Sequence, residues 1–140
     1  MSGIYGISVA ATLLEKGKYD QAAVEATKAI EKEDDNPEHW FERASAYAML
    51  ERFVDAVADY DRALELDREA RVLDEDVLDD AYFSALLGAA RKEPLDAGLA
   101  RLAHYARAFP SGRHLRDADD WSRRLRGELK SEFVKRRLDE

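Results

Sequence analysis

Small side chains recur in this chain at a fixed separation, and that separation constrains the fold more than any other feature. Under a shift of 34 positions Tyr19 pairs with Phe53, Ala22 with Ala56, Ala26 with Tyr60 and Ala29 with Ala63. The surrounding string Gly17-Lys18-Tyr19-Asp20-Gln21-Ala22-Ala23 aligns with Glu51-Arg52-Phe53-Val54-Asp55-Ala56-Val57. A period of this size belongs to stacked supersecondary units, none of which can bury its apolar face alone. Two helices approach to about 8 Å only where one of them contributes Ala or Gly at the crossing. Ala22 and Ala56, and further on Gly98, therefore read as crossing points, with Tyr19, Phe53 and Leu95 wedging the turns.

The second block carries Trp40, Ala44, Tyr47, Phe53, Ala56, Tyr60 and Ala63 in a large-small-large-large-small-large-small order, and it resembles the tetratricopeptide repeat. Arg43 replaces the family's usual leucine, and Arg68 stands where its terminal proline is expected. The first block, residues 3–36, keeps Gly17, Tyr19, Ala22 and Ala29 but has Gly6 where a large residue is usual. A looser third block, 79–112, appears once residues 71–78 are set aside as an insertion. It has Tyr82, Leu95, Leu102 and Pro110 in repeat positions, and Leu86 and Tyr105 where small residues are usual. The resemblance implies a single all-α domain over residues 1–140, a right-handed α-solenoid of about three antiparallel helix pairs, with repeats at 3–36, 37–70 and 79–112.

Local chemistry agrees. Asn36-Pro37 offers an N-cap followed by Pro at the first helical position, and Glu93-Pro94 reads the same way. Helices are expected near 4–16, 20–33, 37–50, 54–70, 75–91 and 94–108. Beyond them Leu115, Trp121, Leu125, Leu129, Phe133 and Leu138 recur mostly in steps of four, one apolar stripe. Early aspartates and late basic residues suit the helix dipole. Residues 113–138 thus read as a long capping helix closing the stack, or else as a docking stripe for a partner.

The net charge of −8 opposes nucleic acid as a partner, since phosphate binding needs a positive surface. Residues 1–112 hold 13 Lys and Arg against 23 Asp and Glu, and residues 113–140 hold 9 against 7. The tail is too mixed in sign for a nucleic-acid arm. Nothing reaches the ~18 apolar residues of a membrane span, and no Lys or Arg precedes the apolar stretch Ile4 to Leu14 as a signal peptide requires. With no cysteine, the chain has no disulfide framework and fits a soluble, cytoplasmic setting.

No catalytic constellation is legible. His39, His104 and His114 fall in separate segments without a metal-ligand spacing. Asp74, Glu75, Asp76, Asp79 and Asp80 lack the ligand spacing and central glycine of a calcium loop, and read as a solvated helix start. The expectation is therefore a non-enzyme with no metal and no cofactor.

Members of the family hold peptides along a groove lined by the first helix of each pair. The resemblance places Ile4, Ile7, Ala11 and Leu14, then Phe41, Ser45, Ala48 and Met49, then Phe83, Leu87 and Ala90 on that groove, with Glu38, Glu42 and Asp80 at its rim. The Lys, Arg and Asn clamp that some members use for acidic chaperone tails is missing. Such a strip suits an apolar or amphipathic peptide carrying basic flanks, which makes the chain an adaptor or chaperone-like scaffold. The same residues could instead be buried within the molecule, or serve a homodimer through the first or the C-terminal helix. Trp40 is expected in the core.

Overall fold

The computed structural model describes residues 8–127. Over this span there are seven helices and no strand: α1 Val9–Glu15, α2 Tyr19–Lys32, α3 Pro37–Met49, α4 Phe53–Ala70, α5 Glu75–Lys92, α6 Leu95–Ala108 and α7 Leu115–Leu125. Each helix packs on the next in sequence, and α1 also touches α3. This is a helical solenoid, in which every unit leans only on its neighbours.

The helix starts follow their caps. Ser8 accepts a hydrogen bond from the Ala11 N–H (3.0 Å), Asn36 from the Glu38 N–H (3.0 Å), and Asp74 from the Val77 N–H (3.0 Å). Each satisfies a donor that the first turn leaves without an intrahelical partner. At Glu93-Pro94 the chain departs from expectation. Helix α6 begins at Leu95 with Pro94 as its cap residue, and the Glu93 carboxylate accepts instead from Arg101, at 2.7 and 3.1 Å.

The first two turns between paired helices repeat each other in detail. Gly17 has φ +75° and Glu51, 34 positions later, has φ +60°. The following residues match as well, Lys18 at φ −93°, ψ 69° and Arg52 at φ −89°, ψ 68°. The Lys18 N–H donates to the Leu13 carbonyl (2.9 Å), and the Arg52 N–H to the Tyr47 carbonyl (2.8 Å). These are the same helix-ending bonds, closed through a left-handed residue. The third turn uses Pro94 and no positive φ, which explains why its sequence matches the others loosely.

Ala22, Ala56 and Gly98 are buried at their crossings. A Cβ on Gly98 would meet the Ala90 carbonyl oxygen at 2.6 Å, so only glycine lets α6 lie this close to α5. Gly88 performs a similar service for the Phe53 ring, which a Cβ there would meet at 2.6 Å. Of the segment set aside as an insertion, only residues 71–74 form a loop. Residues 75–78 are the first turn of α5, with Leu78 buried. Helices α4 and α5, at 18 residues each, are longer than α2 (14) and α3 (13), so much of the surplus is spent as helical turns. The expected capping segment forms α7 up to Leu125, followed by a turn at Arg126 and Gly127 (φ +82°). Leu129, Phe133 and Leu138 lie outside the described residues.

The core is uneven. A large cluster joins Tyr60, Tyr82, Phe83, Leu86, Leu102, Tyr105 and Phe109, with Ala118 of α7 closing it. Helices α2 and α3 share a small cluster of Ala22, Ala23 and Ala46, flanked by Leu13 and Leu14 of α1 and by Tyr47. Trp40, expected in the core, is only partly buried. Its indole N–H donates to the Asp34 carbonyl (2.8 Å), and Arg43 and Arg62 lie over its ring. The unexpected Arg43 is explained by Asp59 of α4, which is almost fully buried. The guanidinium donates to both carboxylate oxygens, at 2.7 and 2.9 Å, and also to Thr27 of α2 at 3.3 Å. One fork thus ties three helices.

Two measurements check this account. Arg43→Leu strands a buried carboxylate and should cost about 3–5 kcal/mol, whereas the double variant Arg43→Leu with Asp59→Leu should recover most of it, as buried pairs replaced by apolar side chains usually do. Urea titration of the single and double variants reads the difference. In the same assay Glu51→Gly should stabilise by up to about 1 kcal/mol by relieving a side chain in the left-handed region, and Gly17→Ala should lose a similar amount.

Candidate peptide-binding groove

Helices α1, α3 and α5 are the first members of their pairs. Residues four apart on a helix share one face, and on α3 that face carries Glu38, Phe41, Glu42, Ser45, Ala48 and Met49. Met49 is 57% exposed, and Glu38 is open to solvent. Phe41 is half-buried with its ring 5.5 Å from that of Tyr60, and Ser45 shares a hydrogen bond with the Tyr60 hydroxyl (3.0 Å). Ala48 is half-buried against the main core.

Glu42 spans to α1, where the Ser8 hydroxyl donates to its carboxylate. Burial pushes the Glu42 carboxyl above the usual carboxylate range, and the Ser8 bond and nearby His39 only partly offset this. On α1 Ala11 and Leu14 are half-buried, Leu14 against the small alanine cluster. Ile4 and Ile7 lie outside the described residues.

On α5 the strip closes. Phe83 is only 7% exposed, its ring stacked on that of His114 (centroids 4.6 Å, interplanar angle 3°) and tilted against Tyr105. Ala90 is 2% exposed because it forms the crossing under Gly98. Leu87 remains half-buried. Asp80, placed at the rim, is already engaged: it accepts from Arg113 at 3.3 Å and faces His114 Nε2 at 2.6 Å. Phe83 and Ala90 are thus buried in this arrangement, whereas Asp80 is half-exposed and shared with Arg113 and His114. What stays open runs from Glu38 through Phe41 and Ser45 to Met49, with Leu87 beside it.

The acidic cluster before α5 is not uniformly solvated either. Asp79 is buried, accepting from the Tyr105 hydroxyl and from the Arg113 N–H (2.9 Å), while Tyr105 in turn accepts from the His114 N–H (3.0 Å). Desolvation and the Asp79 carboxylate push the Tyr105 hydroxyl upward, so it stays a neutral donor. A Cβ on Gly112 would meet the Tyr105 hydroxyl at 2.3 Å, so the turn into α7 requires glycine there.

Three surface clefts, of about 870, 520 and 210 Å³, lie elsewhere, and none is lined by a groove candidate. The first is lined by Arg68, Arg71 and Arg113 together with Asp67, Glu75, Asp76 and the buried Asp79, a lining of mixed charge. Among the described residues no group of His, Asp or Glu is arranged to hold a metal ion, and no helix is long and apolar enough to cross a membrane.

The family model for the tetratricopeptide repeat matches residues 37–70, the α3–α4 pair. The α3–α4 pair is similar to a tetratricopeptide repeat. No curated protein and no solved structure matches it. Helix α3, which bears the open part of the strip, lies inside the matched segment.

The burial pattern sorts the strip residues. Phe83→Ala should cost about 3–5 kcal/mol as a large buried ring is deleted. Met49→Glu should stay within about 0.5 kcal/mol of the wild type as an exposed change. Chemical denaturation of the two variants tests the assignment, and similar stabilities would contradict it.

Proposed function

We propose that the chain holds an apolar or amphipathic peptide segment of another protein along the face of α3, as an adaptor or chaperone-like scaffold in the cytoplasm. The observation that supports this best is Met49, a large apolar side chain left 57% exposed at the end of a half-buried apolar row. Phe41, Ala48, Leu87, Ala11 and Leu14 supply further apolar surface, and Ser45 a hydroxyl. Glu38, which is exposed, and Glu42 place negative charge beside the row and favour a segment with Lys or Arg next to its apolar anchors. On α5 the half-exposed Asp80 shares its charge with Arg113 and His114.

A second reading rests on the other end of the molecule. Val9 is 63% exposed and Val24 54% exposed on the first helix pair, an apolar surface suited to self-association. Sedimentation velocity at micromolar concentration distinguishes the two, since a strict monomer removes the dimer.

Selection of a displayed random-peptide library on the purified protein tests the groove. Recovered peptides should carry apolar residues at helical spacing beside Lys or Arg. Met49→Glu should weaken their binding at least tenfold, about 1.4 kcal/mol. Leu95→Glu, on exposed α6 surface, should leave binding unchanged. Equal affinity of the Met49 variant and the wild type would reject α3 as the binding face.

A further inference from the structure

His114 sits where the chain enters α7, and both of its ring nitrogens face carboxylates. Nε2 lies 2.6 Å from Asp80 of α5, and Nδ1 lies 3.2 Å from Asp117 of α7. A neutral imidazole has one N–H and one lone pair, so it can donate to only one of two carboxylates, and the other then meets a lone pair. Only the imidazolium donates to both. The ring is also stacked flat on Phe83, a face contact that favours a cation.

We propose that α7 is a pH-sensitive latch, docked while His114 is protonated and loosened when the ring becomes neutral.

The surrounding charges agree in sign. From α5 the ring meets Asp80, with Asp79 close behind; from α7, Asp117; from α6, the neutral Tyr105 hydroxyl; and from the intervening turn, Arg113, itself paired with Asp80 and Asp76. Burial pulls the His114 pKa down, but hydrogen bonds to Asp80 and Asp117 outweigh it, and the net direction is above the ordinary value near 6.5. A group whose pKa is raised on docking contributes fully below its free value. That contribution is lost as pH rises through the docked value. The window therefore opens just above pH 6.5, in the physiological range.

The rest of the α7 attachment is apolar or indifferent to this proton. Leu115, Ala118, Trp121 and Leu125 pack on the core, and Trp121 lies between Arg91 and Arg124, at 5.0 and 4.9 Å. The Arg113 N–H bond to Asp79 does not involve the imidazole, so a loosened α7 pivots at Arg113 rather than leaving. Loosening uncovers Phe83 beside Leu87. The latch is independent of peptide binding, and its test uses none.

Hydrogen exchange of the α7 amides, corrected for the intrinsic pH dependence, reads the latch on the whole chain between pH 5.5 and 8.5. Opening of residues 115–125 should rise on the order of tenfold for each unit by which the docked pKa exceeds the free one, while α3 and α4 stay unchanged. His114→Gln should remove this pH dependence. Asp80→Asn, at a half-exposed position, keeps the fold and should move the transition to lower pH. Flat protection in the wild type overturns the latch, as does a dependence that survives His114→Gln or a transition that Asp80→Asn does not shift.

Discussion

How closely two rods can lie side by side governs everything else in this molecule. At the α5–α6 crossing a single methyl group on Gly98 would run into a backbone carbonyl, and Ala22 and Ala56 are fully buried in the earlier pairs. Close approach brings aromatic rings from the successive helices α4, α5 and α6 into one cluster. On α3, Ala44 and Ala46 are fully buried while Met49 stays exposed, so one helix serves both the core and the surface.

Much of this was written in the spacing. The matching turns at Gly17 and Glu51 follow directly from the thirty-four-residue shift, even though Glu51 offers no hint of a left-handed conformation by its type. The cap at Asn36 was readable from local chemistry, whereas the same reading of Glu93-Pro94 did not give the cap of α6. The strip was readable only in part. Its positions on α3 share one helix face, but the burial of Phe83 and Ala90 needed knowledge of what lies against them, namely the His114 ring and Gly98. A face of a helix can be read from period; what covers that face depends on segments distant in sequence.

The polar interior was the least legible part. Arg43 looked like a departure from pattern and proves to be one half of a buried pair, with Asp59 as the other. Asp79 looked like one more acid in a solvated run and is the anchor for Tyr105 and the turn into α7. A signal did exist in both cases: a charged residue standing at a position where the helical period calls for an inward side chain. Such a residue points to a partner of opposite charge or a donor on a facing helix, though not to which one.

The unequal cores have a further consequence for how the chain assembles. Helices α1 and α2 precede the rest of the described span, yet the small buried cluster of Ala22 and Ala23 takes its third member, Ala46, from α3. The aromatic mass lies in helices made later. Arg43 reaches back to Thr27 while gripping Asp59. This implies that the earliest segment gains its order by being recruited onto the α3–α4 hairpin, so that consolidation during synthesis runs backward along the polypeptide.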